Sequence, residues 1–124
     1  VRVLGGPTTL IGYGGLRVLT DPTFDAPGEY PLGGGRVLTK TAPSAVDPAD
    51  LGRVDVVLLS HDQHPDNLDA SGRALLAAVP VVLTTRSAAG RLGGTTRGLA
   101  PWEAVELPRP DGGTVTVTAT PARH

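Results

Sequence analysis

The sequence predicts an α/β chain with helices packed on a sheet. Three observations predict it. The first twenty residues alternate short β-rich runs with glycine, and Val54-Asp55-Val56-Val57-Leu58-Leu59 is almost continuously apolar. Beyond that run, segments of strand and helix character alternate to the end of the chain. A length of 124 residues fits one domain, and with aromatics at 3% its core falls to Val, Leu, Ile and Ala.

Each element has a local signal. Residues 1–4 form a β-rich run closed by Gly5-Gly6-Pro7, and residues 8–13 form a second. Gly14-Gly15 then predicts a hairpin turn into a strand at 16–20, because both central positions can take positive φ. Residues 21–50 lose periodicity in Pro, Gly and polar residues, which fits a functional flap and a plain surface excursion equally. The apolar run 54–59 predicts a strand buried on both faces. A helix is expected over 68–79, with Leu68, Leu75, Leu76 and Val79 on one side and Pro80 stopping it. A strand at 81–84 and a short helix at 87–92, ended by Gly93-Gly94, follow. Strands at 104–107 and 114–119 flank the Asp111-Gly112-Gly113 turn.

Composition removes several function classes. Eleven basic and twelve acidic residues give a net charge of −1 with no basic stripe, so neither nucleic acid nor a membrane surface is an expected partner. The absence of cysteine excludes disulfides, thiol catalysis and Cys-based zinc sites. No apolar run approaches the ~18 residues of a membrane span, and no signal-peptide pattern opens the chain, so a cytoplasmic location is expected. The Gly pairs and Gly33-Gly34-Gly35 lack a strand–GxGxxG–helix context and read as turns. Ser60 and Ser71 lack a nucleophile elbow.

Chemistry concentrates after the most buried strand. His61, Asp62, His64, Asp66 and Asn67 place two imidazoles and two carboxylates within seven residues, beyond a strand's carboxyl end, where ligands gather in open α/β folds. Imidazole nitrogen with carboxylate oxygen suits Zn, Fe or Mn. The same residues also fit a helix N-cap, supplied by Asp66 or Asn67, preceded by two turn histidines.

The segment "VDVVLLSHDQHPDNLD" resembles the signature of the metallo-β-lactamase superfamily, an apolar strand, Ser, H-x-H-x-D-H and then a helix. "GGPTTLIGYGGLRVLTDPTF" and "VTVTATPARH" are similar to that superfamily's opening and to the strand that delivers its next histidine. The likeness is strongest to the branch of ascorbate-6-phosphate lactonase-like hydrolases. It implies an αββα sandwich, of which this chain covers roughly the first half. It implies His61, His64 and His124 as ligands of a first metal ion, with Asp66 holding a second ion or orienting the catalytic water. Counted back from Asp66, His64 takes the motif's second His position and Gln63 is inserted; counted forward from His61, Gln63 itself takes that position, and in either register Asn67 stands where the motif has its last His. Asp21, in the Thr-Asp-Pro position, joins Asp62 and Asn67 as expected supporting residues around the centre. An Asp followed by Pro22 also fits a turn with its own backbone, and a terminal His124 also fits a frayed end.

Two functions are therefore expected of the chain. One is a metal-dependent hydrolase using Zn2+, as one or two ions, or Mn2+ or Fe2+. It would act on a small-molecule lactone, ester, amide or phosphodiester, with the 21–50 segment shaping the mouth. The other, motivated by Gln63 and Asn67, is a degenerate domain that binds or supports without catalysis. The resemblance also implies an incomplete domain, expected to expose an apolar face and to dimerise, aggregate or need its other half, so that a homo-oligomer is an expected assembly.

Overall fold

The computed structural model describes residues 1–122. Six strands form one mixed sheet: β1 (Arg2–Gly5), β2 (Thr8–Tyr13), β3 (Leu16–Thr20), β6 (Val56–Leu58), β7 (Val81–Thr85) and β8 (Thr96–Leu99), side by side in that order. β1, β2 and β3 are antiparallel neighbours, as the tight turns between them require. β3, β6, β7 and β8 run parallel, so their carboxyl ends share one edge. Gly14 and Gly15 turn β2 into β3 with φ of +60° and +82°.

Alternation along the central strands divides the core in two. Leu19, Val57, Leu59 and Val82 face one side, where they meet Leu68, Leu76 and Val79 around helix α1 (Ala70–Leu76). Leu92 of helix α2 (Arg86–Leu92) packs on the same cluster. Leu16, Val56 and Leu83 face the other side and are covered by Val105 and Leu107 of the hairpin β9 (Ala104–Pro108) and β10 (Thr114–Thr118). Val57 and Val82 are fully buried, each burial stabilising by roughly 1.5–3 kcal/mol.

The expected αββα sandwich is not what forms. Strand dominates, the two helices have seven residues each and pack on the same cluster, and the opposite layer is a two-stranded hairpin rather than a second full sheet. Three local expectations also change. The 21–50 segment contains a hairpin, β4 (Gly28–Gly33) and β5 (Arg36–Lys40), joined at Gly34-Gly35. Pro31 breaks the β pattern in sequence, yet it is tolerated in a two-stranded ribbon where one edge stays open. β8 was not anticipated, since Thr96, Arg97 and Gly98 carry no apolar run. The helix expected at 68–79 begins only at Ala70, because the preceding residues form a turn that Asn67 and Leu68 close with N–H bonds to His64 O at 3.0 and 3.1 Å. Among the described residues no helix is long and apolar enough to cross a membrane.

Candidate functional site

The site lies at the shared carboxyl edge, in the loop from Leu59 to the start of α1. Leu59 N–H still bonds Leu83 O at 2.9 Å, so the loop departs from a fixed point on the sheet. His61 and His64 follow within one turn, their rings edge to face with centroids 5.3 Å apart and planes at 84°.

Asp21 anchors this loop from the end of β3. Its N–H bonds Leu58 O at 3.0 Å, and its own carbonyl accepts from the buried Thr8 hydroxyl at 2.6 Å. Those bonds hold a non-glycine residue at φ +33°, a conformation Asp tolerates better than most side chains. The buried carboxylate accepts from Ser60 N at 2.7 Å, Ser60 Oγ at 2.8 Å and Asn67 Nδ2 at 3.1 Å. Both ends of the histidine loop are thus tied to one carboxylate. Ser60 Oγ in turn lies 3.0 Å from His61 Nδ1.

Two further carboxylates, Asp25 and Asp69, hold α1 behind the loop. Asp69, rather than Asp66 or Asn67, is the N-cap, accepting from Gly72 N at 2.7 Å. Asp25 accepts from the N–H groups of Ser71 at 3.0 Å and Ala70 at 3.3 Å and from the Ser71 hydroxyl. Desolvation pulls the Asp25 carboxyl upward, but the Ser71 and Ala70 bonds and the Lys40 charge outweigh it, and it titrates below the usual carboxylate range. Gly72 permits the close approach of α1 to the chain after β3, since a Cβ there would lie 1.9 Å from Pro22 O.

The remaining expected site residues are placed differently. Asp62 borders the same cleft as His64, but Arg91 of α2 grips its buried carboxylate with Nε at 2.9 Å and Nη2 at 2.5 Å. The Arg91 hydrogen bond, against desolvation, holds Asp62 below the usual carboxylate range. Asp62 is therefore a brace between loop and helix, not a support of the histidines. His64 lines an open cleft of about 640 Å³ with Gln63, Arg73 and, from β4, Tyr30 and Pro31. Asp66 is exposed and lines a separate cleft of about 250 Å³ with Lys40. Pro65 stands between them and borders both. Among the described residues no three His, Asp or Glu side chains gather to hold a metal ion. His124 lies outside the described residues.

Of the residues singled out in the sequence, the structure brings His61, His64, Asp21 and Asn67 together at this loop. Sequence reasoning missed Ser60, Asp25 and Asp69. A short polar residue directly before Ala70 was the available signal for the Asp69 cap. In the sequence Ser60 shows only the absence of a nucleophile elbow, and its position between a buried carboxylate and an imidazole is visible only in three dimensions.

No family model matches the chain, and no curated protein does. Among solved structures, the fold is similar to an isothiocyanate hydrolase from Delia radicum gut bacteria, with a TM-score of 0.63 and 23% identity. The likeness covers 89% of this chain and 43% of that one, so the chain spans less than half the length of its structural neighbour. Membership of the metallo-β-lactamase superfamily, expected from the "VDVVLLSHDQHPDNLD" segment, is overturned: a solved structure whose fold the chain shares is an isothiocyanate hydrolase, no family model supports the assignment, and the ligand cluster it requires does not form among the described residues. What the comparisons establish is a shared fold with that isothiocyanate hydrolase.

Proposed function

We propose that the chain carries part of a hydrolase site in which His64, backed by His61, activates water against a small electrophile bound in the larger cleft. The observation that carries this reading is the edge-to-face imidazole pair on a loop anchored by Asp21, with His64 bordering the cleft. A neutral imidazole at a cleft is suited to accept a proton from water near neutral pH. The fold likeness supplies the substrate class to try, an isothiocyanate. In that reaction the water oxygen bonds to the central carbon while His64 takes a water proton and returns it to the substrate nitrogen. The resulting thiocarbamic acid loses its remaining acidic proton to nitrogen as the carbon–nitrogen bond breaks. The products are the amine and carbonyl sulfide, which together contain the atoms of the isothiocyanate and one water.

Zinc is the cofactor that paired imidazoles suit. His61 and His64 offer two donors, one short of the three protein ligands of a catalytic zinc site, and no third joins them among the described residues. The described residues do not complete such a site, and the proton transfer above uses the imidazole alone. The test is to incubate the chain with benzyl isothiocyanate and follow amine release, with chelator and with added Zn2+. Amine release above the uncatalysed rate supports the hydrolase. Activity confined to the Zn2+ arm, with metal content lost in His61→Ala and His64→Ala more than in Gln63→Ala, makes the pair metal ligands. Absence of turnover in every arm refutes the hydrolytic reading and favours the non-catalytic one.

A further inference from the structure

The hydrogen-bond inventory of Ser60 fixes a property of the neighbouring histidine. A serine hydroxyl has one proton to give and two lone pairs to receive. Ser60 Oγ donates to Asp21 Oδ2 at 2.8 Å, which commits its proton. Asn67 Nδ2 approaches the same oxygen at 3.3 Å as a donor. The remaining neighbour is His61 Nδ1 at 3.0 Å, and with the hydroxyl proton already placed, that contact is a hydrogen bond only if Nδ1 carries the proton.

We infer that Ser60 is a positioning residue that relays the Asp21 carboxylate to His61, holding the ring in its Nδ1–H tautomer and leaving the lone pair on Nε2. Both carboxylate oxygens of Asp21 grip Ser60, one through its N–H and one through its hydroxyl, so the hydroxyl cannot rotate freely toward the ring. His61 Nε2 is buried on the far side of the imidazole. A second residue that fixes the tautomer of a functional histidine preorganises it, because a wrongly placed proton would block the nitrogen that has to accept or ligate. The inference rests on the reading of the histidine pair as the reactive element, but its test needs no turnover.

The measurement is the imidazole 15N spectrum of the full chain, with chelator, at a pH where His61 is neutral. The expected wild-type pattern is protonated Nδ1 and unprotonated Nε2. Ser60→Ala should move His61 to predominantly Nε2–H, the form imidazole favours in water, and Ser60→Thr, which keeps the hydroxyl, should retain Nδ1–H. A wild-type spectrum showing Nε2–H overturns the relay. So does a folded Ser60→Ala chain whose His61 keeps Nδ1–H. If Ser60→Ala does not fold, the wild-type and Ser60→Thr spectra decide the matter. A tautomer that behaves as expected in a chain without hydrolase activity would sink the hydrolytic reading and leave the relay standing.

Discussion

The two two-stranded ribbons outside the main sheet, β4–β5 and β9–β10, have similar lengths and opposite roles. β9–β10 turns Val105 and Leu107 into the sheet and closes one core cluster. β4–β5 buries no side chain completely, and Tyr30 and Pro31 border the cleft beside His64. Its tie to the rest of the molecule is polar: Lys40 Nζ donates to Asp25 O at 2.6 Å, and Asp25 holds the first turn of α1. One ribbon therefore supplies core stability, and the other a sparsely buried wall of the cleft of the kind that opens at low free-energy cost.

The largest expected effect separates the two directly. Leu107→Ala should destabilise the fold by about 3 kcal/mol, the usual cost of truncating a buried leucine. Leu38→Ala, on the half-buried face of β5, should cost no more than about 1 kcal/mol. Denaturant midpoints at constant slope measure both. Equal losses would erase the distinction between the ribbons.

Acid should next loosen the hold of the Asp25 carboxylate on α1, the element behind the β4–β5 wall. The Asp25 carboxyl is lowered in the folded chain, so its contribution is complete above the unfolded value of about 4 and is lost as pH falls through the folded one. Asp62, lowered by Arg91, acts in the same direction. The melting temperature should therefore fall between pH 5 and pH 2, roughly the interval over which lowered carboxylates titrate. Asp25→Asn should lower it at pH 7 and flatten that fall. An Asp25→Asn chain with an unchanged pH profile would show that the Asp25 carboxylate does not hold the first turn of α1 in this way.

The smallest stability effect is expected at Tyr30. Its hydroxyl donates to Ala26 O at an exposed position, so Tyr30→Ala should change the melting temperature little while raising KM for a cleft-bound substrate. A large loss of stability with KM unaltered would make β4–β5 a structural ribbon like the other.

The sequence was most legible where chain neighbours decide the structure. β2 and β3 are read to the residue, because alternating apolar positions and a Gly-Gly turn are local signals. It was least legible where a distant partner decides. Pro31 hid β4 because its tolerance depends on an open edge, and Gly98 hid β8 because that strand is defined by pairing with β7. The αββα expectation came from a likeness of motifs, and packing of a hairpin against Val56 and Leu83 replaced the second sheet. The site divides in the same manner. The His61–His64 spacing is local and was readable, whereas Asp62 is decided by Arg91, twenty-nine residues along the chain. Asp66 is decided by the Pro65 turn, which sends it to the other cleft.

On the proposed function, chemistry belongs to the histidine pair and not to Asp66 beside it. The direct measurement is the rate of benzyl isothiocyanate hydrolysis by His64→Ala and Asp66→Ala, with each variant's melting temperature confirming its fold. The account predicts a loss of about 100-fold or more for His64→Ala, the range of a removed general base, and a rate within about two-fold of wild type for Asp66→Ala, as for a surface change away from the cleft. A His64→Ala chain at full rate, or an Asp66→Ala chain as impaired as the histidine variant, would contradict it.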